Sequence, residues 1–155
     1  MTHSIESPLG TLYLQATARG LRRVSFVELT AGEGEESAEA ARHLHRAADE
    51  LTEYFAGRRR SFSVALDPEG TDFQRAVWEE LAALGFGQTI SYGTIARHIG
   101  SPRGSQAVGL ANGQNPLPII VPCHRVVGRD GKLTGYAGGV ERKQWLLRHE
   151  SAALF

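Results

Sequence analysis

The chain is poor in sulfur: its 155 residues hold one cysteine, Cys123, and one methionine. A single thiol excludes an internal disulfide and a multi-thiolate zinc site, so the sequence predicts a reducing compartment and no structural metal. No apolar run is long enough to span a bilayer, and Met1 to Gly10 lacks a basic segment followed by an apolar one. The expectation is a cytoplasmic protein without membrane contact. The glycine-rich stretch Gly135, Tyr136, Ala137, Gly138, Gly139 lacks the Gly-Lys-Ser/Thr ending of a phosphate loop, which leaves nucleoside triphosphate binding unsupported. Net charge of either sign is absent too, with 17 Lys/Arg against 17 Asp/Glu. The balance conceals an asymmetry: residues 1–70 carry 8 basic against 11 acidic side chains, and residues 71–155 carry 9 against 6. The second half is the one suited to facing phosphates.

Strand-like alternation over Thr11 to Thr17 and Leu21 to Val27 around a turn at Ala18 to Gly20 predicts a hairpin. From Ser37, the apolar positions Ala41, Leu44, Ala48, Leu51 and Phe55 recur at helical spacing, and Ser61 to Leu66 alternates as a third strand. Asp67, Pro68, Glu69 and Gly70 make the one convincing linker, which divides the chain into domains 1–70 and 71–155. Thr71 with Gln74 has the form of a capping box opening a helix that carries Phe73, Val77, Leu81 and Leu84 on one side. Ser91 caps a helix from Tyr92 to about Ile99, and a further helix runs from Arg103 to about Gly113; two short helices joined by a glycine turn read as a helix-turn-helix. The latter is rich in small residues, Gly104, Ser105, Ala107, Gly109, Ala111 and Gly113, which calls for either tight packing on a neighbour or close approach to a groove of nucleic acid. A last helix spans about Glu141 to Glu150.

Cys123 ends the run Asn115 to Pro122, which reads as an apolar strand stopping at a proline and then exposing a thiol beside His124 and Arg125. The nucleophilic form of cysteine is the thiolate, and adjacent positive charge or a base makes it available near neutral pH. A buried cysteine acting as a small hydrophobe is the alternative. Consecutive side chains of an extended segment point to opposite faces, so a direct bond between Cys123 and His124 requires a turn, and a bridging water is the easier geometry. Glu150 at the end of a helix opposes the helix dipole, so either a partner holds it or it frays into solvent.

The helix start Asp72, Phe73, Gln74 with Val77 and Trp78, the pairs Ser91, Tyr92 and Asn115, Pro116, the run Pro122, Cys123, His124, Arg125, and the ending Lys143, Trp145, Leu146, Leu147, His149, Glu150 resemble the O6-alkylguanine-DNA alkyltransferase family continuously over residues 72–150. The first 70 residues resemble it more loosely, in element order. The resemblance implies an α+β fold, with a small ribonuclease-H-like α/β domain followed by a mainly helical domain containing the helix-turn-helix. It implies minor-groove binding to double-stranded DNA that contains O6-alkylguanine, extrusion of the damaged base, and one irreversible, stoichiometric transfer of the alkyl group to sulfur. Extrusion is needed because the sulfur must approach the alkyl carbon in line with the breaking bond.

By that resemblance Cys123 is the nucleophile, His124 its base through a water, Glu150 the carboxylate that orients the imidazole, Asn115 the residue holding the turn, and Tyr92 a proton donor near N3 of the leaving guanine. Tyr136, Ala137, Gly138 and Gly139 line the base pocket, with Val126, Pro118 and Trp78 as walls or support. Gln106, Ser105, Ala107, Gly109, Ala111, Arg103 and Arg125 face DNA. No cofactor or metal is implied, and a monomer is expected. Gln106 stands where many relatives place an arginine, which predicts weaker DNA affinity, and Ala137 where many have serine, which removes one possible hydrogen bond to O6. A lesion sensor with slow transfer is the alternative function, and a thiol hydrolase using Cys123 and His124 a more distant one.

Overall fold

The computed structural model describes residues 2–30, 36–128, 131, 133, 135, 136 and 138–153. It forms two compact units, Met1–Glu69 and Gly70–Phe155.

In the first unit, β1 (Thr2–Ser7), β2 (Gly10–Thr17) and β3 (Gly20–Ser25) make an antiparallel sheet in sequence order, with a register shift between Gln15 and Ala16. Strand β1 was not legible in the sequence, because Thr2 to Ser7 is an edge strand of mostly polar residues with no apolar alternation. Leu12, Leu14 and Ala16 of β2 are fully buried under α1 (Ala38–Phe55), whose buried face is Ala40, Leu44, Ala47, Leu51 and Tyr54; of the face expected from the sequence Leu44 and Leu51 are buried, while Ala41, Ala48 and Phe55 lie one residue off it and are half-buried. Ser37 caps α1 by accepting a hydrogen bond from the Ala40 amide at 3.0 Å.

The expected strand over Ser61 to Leu66 is only an isolated bridge between Leu21 and Leu66. Its amide groups go elsewhere: the amides of Ser63 and Val64 donate to the Glu50 carboxylate at 3.0 Å each, and the Ser63 hydroxyl donates to it at 2.6 Å. Burial works against the charge on Glu50, but these bonds and Arg59 hold its carboxyl below the usual range.

In the second unit, α2 (Asp72–Ala82) opens with the capping box predicted at Thr71 and Gln74. Its buried residues Val77, Trp78 and Leu81 support α3 (Tyr92–His98) and α4 (Ser105–Gly113). Helix α4 begins at Ser105 rather than Arg103, because residues 101–104 are taken up by a turn in which the Gly104 amide donates to the Ser101 carbonyl at 2.7 Å. Strands β4 (Ile90–Ser91) and β5 (Val126–Val127) pair in parallel, tying the start of α3 to the residues that follow Cys123. The unit ends in α5 (Val140–Ala153). Among the described residues, no helix is long and apolar enough to cross a membrane.

Candidate active site

The run preceding Cys123 is a series of turns, which corrects the strand expected there. Prolines at 116, 118 and 122 remove amide donors a ladder would need, and Asn115 organises what remains. Its Oδ1 accepts from the Leu117 amide at 3.0 Å and its Nδ2 donates to the Val121 carbonyl at 2.8 Å. Buried Ile119 is held between them at φ 76°, a left-handed conformation that costs a β-branched residue about 1–2 kcal/mol. Pro122 centres an inverse γ-turn closed by the Cys123 amide donating to the Val121 carbonyl at 2.8 Å, and Cys123–Arg125 continue as one 3₁₀ turn. Three residues per turn point the three side chains about 120° apart, and Glu150 draws those of His124 and Arg125 to itself.

The same geometry buries the thiol. Cys123 is 2% exposed, where the sequence suggested a presented sulfur. Burial pushes its pKa up to about 11 against the help of Asn115, Lys143 and Tyr136, so the resting form is the neutral thiol rather than the expected thiolate.

Glu150 of α5, 1% exposed, gathers the neighbours of Cys123. The His124 Nε2 lies 2.7 Å from its Oε2, the Arg125 Nε and Nη2 donate to its two oxygens at 2.9 and 3.0 Å, and the Gly87 amide donates at 3.2 Å. Burial opposes its charge, but His124 and Arg125 hold the carboxyl far below the usual range. An ionised acceptor at Nε2 fixes the tautomer: Nε2 carries the hydrogen and Nδ1 is the lone-pair nitrogen. That Nδ1 is buried and makes no hydrogen bond. Burial keeps the imidazole neutral by lowering its pKa despite Glu150. The carboxylate and the oriented neutral imidazole, on the residue next to the thiol in sequence, are two of the three parts of a nucleophile, base and carboxylate set.

Helices α3 and α4 and the turn between them expose Arg97, His98, Arg103, Ser105, Gln106, Ala107 and Leu110, and residues 85–128 contain no acidic side chain. A cleft of about 670 Å³ lies between the starts of the two helices, lined by Ser91, Tyr92, Gly93, Arg97, Pro102 and Ser105. Cys123 does not line it.

Two family descriptions cover the chain: 6-O-methylguanine DNA methyltransferase, ribonuclease-like domain, over residues 1–68, and the DNA binding domain of the same name over residues 72–152. The chain belongs to the 6-O-methylguanine DNA methyltransferase family. A methylated-DNA--protein-cysteine methyltransferase of Methanosarcina acetivorans is 46% identical over 95% of this chain and 96% of its own. A protein of the same name from Mycolicibacterium paratuberculosis is 45% identical over 97% and 94%. Among solved structures, Mycobacterium tuberculosis OGT in complex with DNA is 44% identical, with a TM-score of 0.88 over 98% of this chain and 93% of that one.

Within this family member, the structure brings together Cys123, His124, Glu150, Asn115 and Tyr136, whose hydroxyl interacts with the thiol. Val126 and Pro118 are buried close by in sequence, and Gly138 and Gly139 follow Tyr136 in a turn where the Gly139 amide donates to the Tyr136 carbonyl at 2.9 Å. Ala137 lies outside the described residues. Tyr92 is half-buried at the cleft, its ring alongside Gly109. Trp78 is support, donating its indole N–H to the Ala111 carbonyl at 2.9 Å.

Two residues assigned to DNA sit elsewhere. Arg125 is 4% exposed, with Nε and Nη2 on Glu150 and Nη1 on the Leu84 carbonyl at 2.9 Å, which leaves its guanidinium fork committed inside the unit. Ala111 is 2% exposed and faces α2.

Two residues were missed. Lys143, one of only two lysines, is fully buried and interacts electrostatically with Cys123; its place two helical turns before Glu150 was the available signal. Asn112, 2% exposed, donates from Nδ2 to the Cys123 carbonyl at 3.3 Å. Its spacing of one turn before Asn115 was a signal too weak to assign.

Proposed function

We infer that this protein repairs O6-alkylguanine in double-stranded DNA by moving the alkyl group to Cys123 once and irreversibly. The observation that carries the reading is the Glu150 contact that leaves Nδ1 of His124, the residue after Cys123, as an unbonded basic nitrogen. Ionising a thiol of pKa about 11 at pH 7 costs about 5 kcal/mol, so the proton must leave during the reaction instead of beforehand. His124 takes it through a bridging water. The sulfur then forms a bond to the alkyl carbon, the bond from carbon to O6 breaks, and its electron pair leaves on the guanine. The guanine anion takes up a proton, for which the Tyr92 hydroxyl near N3 is the proposed donor. The step balances without a cofactor, and the stable thioether formed ends the protein's activity.

Docking uses the α3 and α4 surface in the minor groove, with Arg103, Ser105, Gln106, Ala107 and Gly109 toward DNA, and the damaged base extruded. The free space at Gly109 and Gly113 supports this. A Cβ at Gly109 would come no closer than 3.7 Å to Tyr92, and at Gly113 it would meet nothing within 4 Å. Internal packing therefore does not demand glycine at either position, and close approach of an outside partner does. The turn from Tyr136 to Gly139, with Pro118 and Val126, would receive the base. The protein is proposed to work as a cytoplasmic monomer.

Mixing the protein with a duplex bearing one O6-methylguanine should add a single methyl mass, located on Cys123 by peptide analysis. Tight binding of that duplex with no mass gain would instead support the lesion sensor. A Cys123→Ser variant should bind but gain nothing.

A further inference from the structure

We propose that Asn112 supplies the third hydrogen-bond partner of the water between Cys123 and His124, and is thereby a positioning residue for the proton transfer. The proposal deepens the reading above and rests on it. Asn112 lies in the last turn of α4 and is 2% exposed. Its amide is oriented unambiguously, since the Cys123 carbonyl 3.3 Å from Nδ2 can only accept. The other arm, Oδ1, is buried and bonded to nothing. So is His124 Nδ1, on the residue joined to Cys123 by the very carbonyl that Asn112 holds. Both orphaned acceptors sit on residues joined to Cys123, one by a hydrogen bond and one by the peptide link, and each is costly unless a donor answers it.

Water has the required valence. It donates one hydrogen to Nδ1 and one to Oδ1, and its lone pair accepts the thiol S–H, giving the three bonds that a buried water ordinarily makes. With only the thiol and the imidazole as partners, the water would be free to rotate about its bond to Nδ1. Oδ1 of Asn112 fixes that rotation, so one hydrogen lies on Nδ1 while a lone pair lies on the S–H. When the alkyl carbon arrives, the thiol proton passes to the water as the water's hydrogen passes to Nδ1; the water is regenerated, and the imidazolium is held by Glu150. The sulfur pair forms the carbon–sulfur bond, and the carbon–O6 pair departs with the guanine. The charged and titratable groups acting on the thiol are otherwise Lys143 of α5 and Tyr136, and the Glu150 and Arg125 pair acts on His124.

The test compares Asn112→Leu, which fills the space without donor or acceptor, with Asn112→Ala, which leaves room for solvent in place of Oδ1. Single-turnover methyl transfer from an O6-methylguanine duplex is followed from pH 6 to 9 in H2O and D2O, alongside duplex affinity and the urea midpoint. Asn112→Leu should slow transfer on the order of 10- to 100-fold, up to the lower end of what a positioned base itself contributes, and diminish the solvent isotope effect. Asn112→Ala should be slowed less although its cavity makes it the less stable of the two, and both should bind duplex within about twofold of the parent. Rates that track the urea midpoints, or a Leu variant as fast as the parent, would overturn the proposal. Should neither variant fold, a crystal structure of the unmodified protein decides: a water within hydrogen-bond distance of Oδ1, Nδ1 and Sγ is expected, and its absence refutes the idea. A parent protein that takes up no methyl group would sink the repair reading itself, a different outcome from either.

Discussion

Replacing Glu150 by glutamine tests the tautomer argument at its root, because the change keeps the shape and removes the charge. The carboxylate now accepts from His124 Nε2 at 2.7 Å and from the Arg125 Nε and Nη2 at 2.9 and 3.0 Å. Glutamine has one oxygen for two acceptor positions: with that oxygen kept on the Arg125 Nε and the Gly87 amide, its NH2 takes the place of Oε2, faces Nε2 and forces the imidazole to move its hydrogen to Nδ1. The unbonded ring nitrogen becomes a donor, and the base is gone. Losing a positioned general base costs about 100- to 10,000-fold, so single-turnover transfer should fall by that amount. Leaving the Arg125 guanidinium buried without its counter-ion should lower the unfolding free energy by about 3–5 kcal/mol in urea titration. The two effects separate. Arg125→Met together with Glu150→Gln removes both charges and should recover part of the stability while transfer stays slow. If Glu150→Gln, shown to be folded, transferred at the parental rate, the assigned tautomer and the role of Glu150 would both be wrong.

Acid should destabilise the fold earlier than surface carboxylates would dictate. His124 and Glu150 both have depressed pKa values in the fold, so their contributions are complete above the unfolded values and are lost as pH falls, from about 6.5 for the histidine and about 4.5 for the glutamate. Urea unfolding free energy that stays flat from pH 7.5 to 5 would contradict this. At the alkaline end the sign reverses, and the buried thiol should cost stability as pH rises from about 9 toward 11. Lys143→Met should raise the thiol pKa further and slow transfer by about tenfold per unit without weakening duplex binding; an unchanged pH profile would remove Lys143 from the site. Gln106→Arg puts a charge on the exposed face of α4, so duplex affinity should rise at low salt and the slope of log K against log salt should steepen by about one. An identical slope would show that this face does not meet phosphate.

Local signals carried much of the fold. The capping box at Thr71 and Gln74 and the Ser37 and Ser91 caps lie within a few residues of what they determine, so their chemistry can be read from neighbours in the chain, as can the helical repeat of α1, though its face of Ala40, Ala47 and Tyr54 lies one residue from the Ala41, Ala48 and Phe55 expected. The failures came where distant groups intervened. Ser61 to Leu66 has strand alternation, yet Glu50 from α1 takes the Ser63 and Val64 amides. Arg125 reads as a DNA contact beside a reactive cysteine, yet a carboxylate 25 residues away claims its guanidinium.

The sequence by itself determined the inventory: one thiol, its adjoining imidazole, a distant glutamate on a helix, an acid-free stretch that includes the paired helices, and the motifs that mark the family. What only the tertiary structure decided is the state of those groups. Whether the thiol is ionised, which imidazole nitrogen bears hydrogen, and whether an arginine faces DNA or a carboxylate all depend on desolvation and on contacts between residues far apart in the chain. These are set by packing, which no local spacing encodes.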